Sequence, residues 1–152
     1  MFEGEIALEN TMKILETEKA YSQAFEYAEQ LITVLKQEKQ PDEVLSQCVN
    51  AILRKANRNA TELLKENKPA ASIHLLQKAE KTMLKHMLEN ESAQISSTAI
   101  FLYNTLACAY KKIGKFTQAL QSLEECVSFF AVTAYTPQQQ CVSFSTATAY
   151  TP

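Results

Sequence analysis

The side chains with most chemical reach in this sequence are two histidines, four cysteines and a short basic run holding Arg54, Lys55 and Arg58. His74 and His86 are expected to share a face of one helix. Their separation along it is about 18 Å, too far for both to ligate one metal ion. Both are therefore expected at the surface or its boundary. The cysteines fall at 48, 108, 126 and 141 without a Cys-x-x-Cys pair. That is the pattern of reduced thiols packed as small hydrophobic groups rather than of a metal centre or a disulfide framework. Cys108 has no histidine or aspartate beside it in sequence to take its proton, so a structural role in a packed helix is expected. The basic run has two readings: a grip on an acidic segment through charge-assisted hydrogen bonds, or the solvated face of a long helix. Glu124–Glu125 and Glu3/Glu5 read as ordinary surface acids. No Gly-x-Ser-x-Gly, His-Glu-x-x-His or phosphate-cradling glycine loop occurs. The expectation is a protein with no catalytic residues, no cofactor and no metal.

These groups act only where larger elements place them, and composition limits what the elements are. With two glycines and no tryptophan in 152 residues, a fold of many tight β-turns is disfavoured. A net charge of −2 provides no general basic field, so nucleic acid is not an expected partner. No apolar run is long enough for a membrane span and the N-terminus is acidic and polar, so the expectation is cytoplasmic, with association with the cytoskeleton as an option. All 32 charged residues lie between Glu3 and Glu125, and the last 27 residues carry none. The chain thus divides into a charged body, 1–131, and an uncharged tail, 132–152.

Apolar spacing of three and four residues predicts about six helices in the body. Ile6, Leu8, Met12 and Leu15 mark the first. Ala24, Phe25, Ala28, Leu31, Ile32 and Leu35 mark the second, which Pro41 brings to an end. A long third helix starts at Asp42, whose charge suits a first turn. Asn67–Lys68–Pro69 breaks it from a fourth with Ile73, Leu76, Ala79, Met83 and Met87 on its apolar face. A fifth runs to about Lys112, Ile113–Gly114–Lys115 turns, and a sixth covers Phe116 to about Phe130. Three segments align at spacings of 48 and 47 residues: 20–31, 68–79 and 115–126. Each has a small residue at its fifth position (Ala24, Ser72, Ala119) and a bulky one next (Phe25, Ile73, Leu120). Small or apolar residues follow at the ninth position (Ala28, Leu76, Leu123) and the twelfth (Leu31, Ala79, Cys126). Such a pattern is needed where a short turn brings two helices into steep contact. The fold class expected is all-α, three antiparallel helical hairpins followed by an irregular or extended tail.

Residues 102–126 resemble a tetratricopeptide repeat. Tyr103, Leu106, Ala107 and Tyr110 take the signature positions of its first helix. Gly114, Phe116, Ala119, Leu123 and Cys126 take those of the turn and second helix. The likeness is weaker over 56–79, where Asn59 and Pro69 replace an expected leucine and aromatic, and weaker again over 12–31. The repeat spacing exceeds the usual 34 residues, as it would if helices were lengthened around the links between hairpins. The resemblance implies an α-α superhelix and a protein-binding scaffold or adaptor. The first helix of each hairpin would line a concave surface through Asn104, Cys108 and Lys111 on the last hairpin. On the middle one Asn57, Thr61 and Leu64 would do so, with Arg54 and Arg58 near them. The partner would be protein. The alternatives are a structural subunit held permanently in a larger, multi-subunit assembly, such as a cytoskeletal or axonemal one, and a regulatory domain of a longer chain.

The tail nearly repeats what precedes it: CVSFFAVTAYTP at 126–137 returns as CVSFSTATAYTP at 141–152, with nine of twelve positions identical. The first copy is expected to continue the apolar stripe of the sixth helix from Leu120 and Leu123 onto its hairpin, then to become extended. The second, stripped of apolar bulk, is read either as a duplication or sequence-assignment echo without a role, or as a strand pairing with the first copy or a partner's edge.

Overall fold

A computed structural model describes residues 2–90 and 93–133. The described residues form six α-helices and no strand: α1 (Phe2–Thr17), α2 (Tyr21–Gln37), α3 (Asp42–Lys65), α4 (Pro69–Glu89), α5 (Ala93–Lys112) and α6 (Phe116–Thr133). Residues 134–152, with the second tail copy, lie outside the described region. Among the described residues no helix is long and apolar enough to cross a membrane.

Four of the five links share one turn. At 18–20 the amide of Ala20 donates to the Leu15 carbonyl while that of Lys19 donates to Glu16. The same crossed pair recurs at Gln40/Lys39, Lys68/Asn67 and Lys115/Gly114. Each turn puts its central residue in the left-handed region, with φ of 62° at Lys19, 54° at Lys39, 62° at Asn67 and 79° at Gly114. This is the Schellman ending, and it satisfies the last helical carbonyls while reversing the chain. Lys19, Asn67 and Gly114 repeat at the 48- and 47-residue spacings of the sequence. The second helix therefore stops at a left-handed lysine, and Pro41 sits at the N-cap of α3. Asp42 lies in the first turn of α3 without making a side-chain cap. The fifth link differs: Asn90 closes α4 in an extended conformation.

Each helix packs on the next, and α3 also packs on α5 and α2 on α4. The largest fully buried side chains are Val49, Leu53, Ser72, Leu75, Leu76, Met83, Ile95 and Leu102, all on α3, α4 and α5. These three helices are the centre of the molecule. Ser72 shows why a small residue is required at a close approach: it is wholly buried, and its hydroxyl donates to the Ala60 carbonyl across the α3–α4 contact at 2.9 Å. Ala24 and Ala119, its sequence equivalents, are buried as well. Ion pairs join elements about one repeat apart, Lys19 to Glu66 at 2.6 Å, Lys36 to Glu89 at 2.9 Å and Lys78 to Glu26 at 2.7 Å. They are solvent-accessible, so they hold alignment more than they add stability. Lys112 Nζ donates to the Leu64 carbonyl at 3.1 Å, tying the end of α5 to the end of α3.

Two expectations change. The apolar stripe of α6 divides: Ala119, Cys126 and Phe129 turn toward α5, while Leu120, Leu123 and Val127 face solvent. Phe116, in the aromatic signature position, is exposed too. By contrast Tyr103, Leu106 and Ala107 are buried, and Tyr110 is half-buried against the core. The Tyr103 ring stacks on Phe129 at 5.8 Å, and burial together with a hydrogen bond to the Glu80 carboxylate pushes its hydroxyl well above the ordinary tyrosine range. One histidine also differs from the expected surface position. His74 is exposed, but His86 is almost fully buried, because twelve residues turn a helix by about a third of a revolution beyond whole turns.

Candidate polar groove between the third and fifth helices

An open groove of about 1030 Å³ lies between α3 and α5. Successive turns of α3 supply Gln47, Asn50, Arg54, Asn57 and Arg58, and α5 supplies Gln94, Ser97, Thr98 and Phe101. These positions face outward because Val49, Leu53, Ala56 and Ala60 on α3, and Ile95, Ala99 and Leu102 on α5, take the buried side. The Thr98 hydroxyl donates to Asn50 Oδ1 across the two helices. Arg54 and Arg58 stand one turn apart, and among the described residues neither has an ion-pair partner. Asn57 Oδ1, between them in sequence, is buried with no hydrogen-bond donor from the protein. Phe101 adds an apolar surface, 64% exposed. Toward the start of α3 a second concavity of about 510 Å³ continues past Gln47 and Gln94 to Asp42, Glu43 and Glu89. The combined trough therefore has an acidic end and a basic end.

Of the residues that resemblance assigns to a binding face, Arg54, Asn57 and Arg58 line this groove. Thr61 is half-buried and spends its hydroxyl on the Asn57 carbonyl at 2.9 Å, and Leu64 packs against the core. Asn104, Cys108 and Lys111 are exposed on α5. They continue the helical face that carries Phe101 but lie beyond the groove's own walls. The exposure of Cys108 overturns its expected packed position. Lys55, third member of the basic run, turns the other way and pairs with Glu16 of α1 at 2.9 Å. Gln47, Asn50, Gln94, Ser97 and Thr98 carried no signal, since isolated amides and hydroxyls are common on helices. Phe101 did carry one: it is an aromatic residue beside, not within, the buried stripe of Tyr103, Leu106 and Tyr110.

Outside the groove, Ser46 and His86 come nearest to a catalytic pair. Ser46 Oγ lies 3.1 Å from His86 Nε2, the separation of a nucleophile and its base. Yet His86 Nδ1 is buried without a partner, so no third group orients the ring. Burial, with Lys36 nearby, holds this histidine below its ordinary pKa. The pair reads as a tie between α3 and α4. Among the described residues no group of three or more His, Cys, Asp or Glu side chains could hold a metal ion. Cys48, Cys108 and Cys126 are free thiols, and burial raises the pKa of Cys48 and Cys126. No protein-family model matches the chain, and neither a curated protein nor a solved structure matches it.

Proposed function

We propose that this chain is a non-catalytic interaction scaffold of the tetratricopeptide type, which holds an acidic segment of a partner protein in the α3–α5 groove. The observation that carries the reading is the pair of unpaired guanidiniums, Arg54 and Arg58, flanking the unsatisfied acceptor of Asn57. Arginine forks bind carboxylates in two-pronged, charge-assisted contacts, and a peptide amide would satisfy Asn57. Phe101 gives such a segment an apolar anchor opposite. The tetratricopeptide reading is supported by the buried signature positions Tyr103, Leu106 and Ala107 and by the left-handed turn at Gly114. The recurrence of that turn one repeat apart fits hairpins stacked in series. Free thiols accord with a reducing compartment, and we take the scaffold to act in the cytoplasm, the cytoskeleton included.

The test is capture from native lysate with the wild-type chain and the Arg54→Glu/Arg58→Glu variant, read by mass spectrometry. Proteins with acidic segments should be recovered by the wild type and reduced at least about tenfold by the variant, since each lost charge pair is replaced by repulsion. Both substitutions are on exposed side chains, so the melting temperatures should agree. Equal recovery of the same proteins by both baits would overturn the groove as the binding site. One stoichiometric set of large-complex subunits, indifferent to the variant, would point instead to a fixed structural subunit.

A further inference from the structure

The trough between α3 and α5 is charged at its two ends and neutral between them. Asp42 and Glu43 stand at one end, on the first turn of α3, and Arg54 and Arg58 at the other. The walls between are Gln47, Asn50, Gln94, Ser97 and Thr98, none of which carries a charge. All four charged side chains are exposed, and among the described residues none has an ion-pair partner. Elsewhere this molecule pairs its charges across helices: Lys19 with Glu66, Lys36 with Glu89, Lys55 with Glu16 and Lys78 with Glu26. The helix dipole explains why acids suit the first turn of α3. It does not explain why the same face turns basic three turns on, with neither sign neutralised by α5. The register of the two walls is fixed. Thr98 bonds to Asn50 and Lys112 to Leu64, both 48 residues apart, so α3 and α5 run in the same direction. Phe101, one turn beyond Thr98, therefore comes level with Arg54 at the basic end.

We infer that the segment held in the trough is bipolar: basic side chains at one end for Asp42 and Glu43, and acidic ones at the other for Arg54 and Arg58. This rests on the groove reading above and names the second half of the partner's chemistry. The distance between the two charged ends sets the spacing. Glu43 lies eleven residues before Arg54 and fifteen before Arg58, which is about 16 to 22 Å along the helix axis. An extended chain advances about 3.3 Å per residue, so its opposite charges stand about five to seven positions apart. Residues between them are neutral, because a charge placed against the amide and hydroxyl walls would lose water without gaining a counter-charge. An apolar side chain sits beside the acids, where Phe101 meets it. A purely acidic segment of the same length fits less well, since its far end would set carboxylates against Asp42 and Glu43. Complementary ends also align the segment as it approaches, and like charges brought together reject the wrong register.

Fluorescence anisotropy of labelled peptides with the full chain tests this. The probe carries two lysines, a neutral spacer of about four residues, a leucine and two aspartates. It is made in both orders, and the tighter of the two is the one compared. One control replaces the lysines by aspartates; a second keeps the composition but moves the spacer outside the charges. The probe should bind at least about threefold tighter than either control. In the Asp42→Lys/Glu43→Lys variant the preference should invert, with the all-acidic peptide binding tighter. A loss of stability from reversing first-turn charges would weaken both peptides alike, so the ratio of the two affinities is the readout. Equal binding of the probe and the all-acidic peptide, or a ratio unchanged in that variant, would overturn the bipolar segment and leave the groove as a site for acidic ones. Equal binding of the control with adjacent charges would overturn the spacing. The Arg54→Glu/Arg58→Glu variant should lose both peptides; undiminished binding there, or no binding of any peptide to the wild type at about 1 mM, would overturn the groove itself.

Discussion

Lys39 is a residue held in a conformation its side chain disfavours. At φ 54° its Cβ crowds the backbone, whereas Gly114 occupies the equivalent place in its own turn without that cost. Lys39→Gly should therefore stabilise the protein by about 0.5–1 kcal/mol, and Gly114→Ala should destabilise it by about 1 kcal/mol. Thermal or urea unfolding of the two variants measures both, and equal effects of one sign would contradict the turn assignment. His86 sets a pH dependence. Its environment comprises Ser46 and Asp42 of α3, Lys36 of α2 and Glu89 on its own helix, with burial the dominant influence. The folded state prefers the neutral ring, so the unfolded chain binds more protons at mildly acidic pH. Its contribution is complete above the ordinary value of 6.5 and is lost as pH falls through the lower folded value. The melting temperature should thus decline below about pH 6.5, and His86→Gln should flatten that decline. Glu26, Glu66 and Glu89, held below 4.5 by hydrogen bonds to Lys78, Lys19 and Lys36, lose their contributions only at more acid pH. The two effects can be separated on one titration.

At the scale of the helix, periodicity was sufficient where one face is buried and the other wet. The apolar stripes of α2 and α4 correspond closely to their buried residues, and Pro69 stands at the first position of α4, where proline is favoured. Periodicity failed where both faces are apolar. Along α6, Ala119, Cys126 and Phe129 and then Leu120, Leu123 and Val127 are two stripes, and spacing alone does not say which one meets α5. The left-handed lysines were also illegible, because lysine gives no sign of a Schellman turn as glycine does. His86 escaped detection for a different reason: its partner Ser46 lies forty residues away in sequence. The groove was half legible, through Arg54, Asn57 and Arg58, since its other wall on α5 is made of residues that pack anywhere. The helices also differ in how firmly they are held. Met12 is the buried core residue of α1, and α1 packs closely on α2 alone. Few buried contacts mean a low free energy of local opening. Hydrogen exchange of α1 amides should therefore be the fastest of the six helices, while those around Leu53 and Leu76 should exchange only on global unfolding. Uniform protection across α1, α3 and α4 would show α1 to be part of one cooperative unit.

For the whole molecule, what binds a partner and what holds the fold differ in physical kind, and that difference gives a joint test. The trough offers charge: exposed side chains that bind through screened Coulomb attraction and steer a partner segment in. The fold rests on apolar area centred on α3, α4 and α5, whose burial depends on removing side chains from water and is little affected by counterions. The ion pairs between repeats, Lys19–Glu66, Lys36–Glu89 and Lys78–Glu26, are solvent-accessible and contribute alignment more than stability. Raising salt from about 0.05 to 0.5 M shortens the screening length to a few ångströms, so capture of partners should weaken by roughly tenfold or more. Over the same range the melting temperature should hold, as the core is apolar and only the surface ion pairs feel the screening. Sulfate in place of chloride should raise it by favouring burial of apolar surface. Parallel salt titrations of partner capture and of thermal unfolding would read both. A melting temperature that falls in step with partner release would mean that the ion pairs hold the helices together, and the division of labour between charged trough and apolar core would fail.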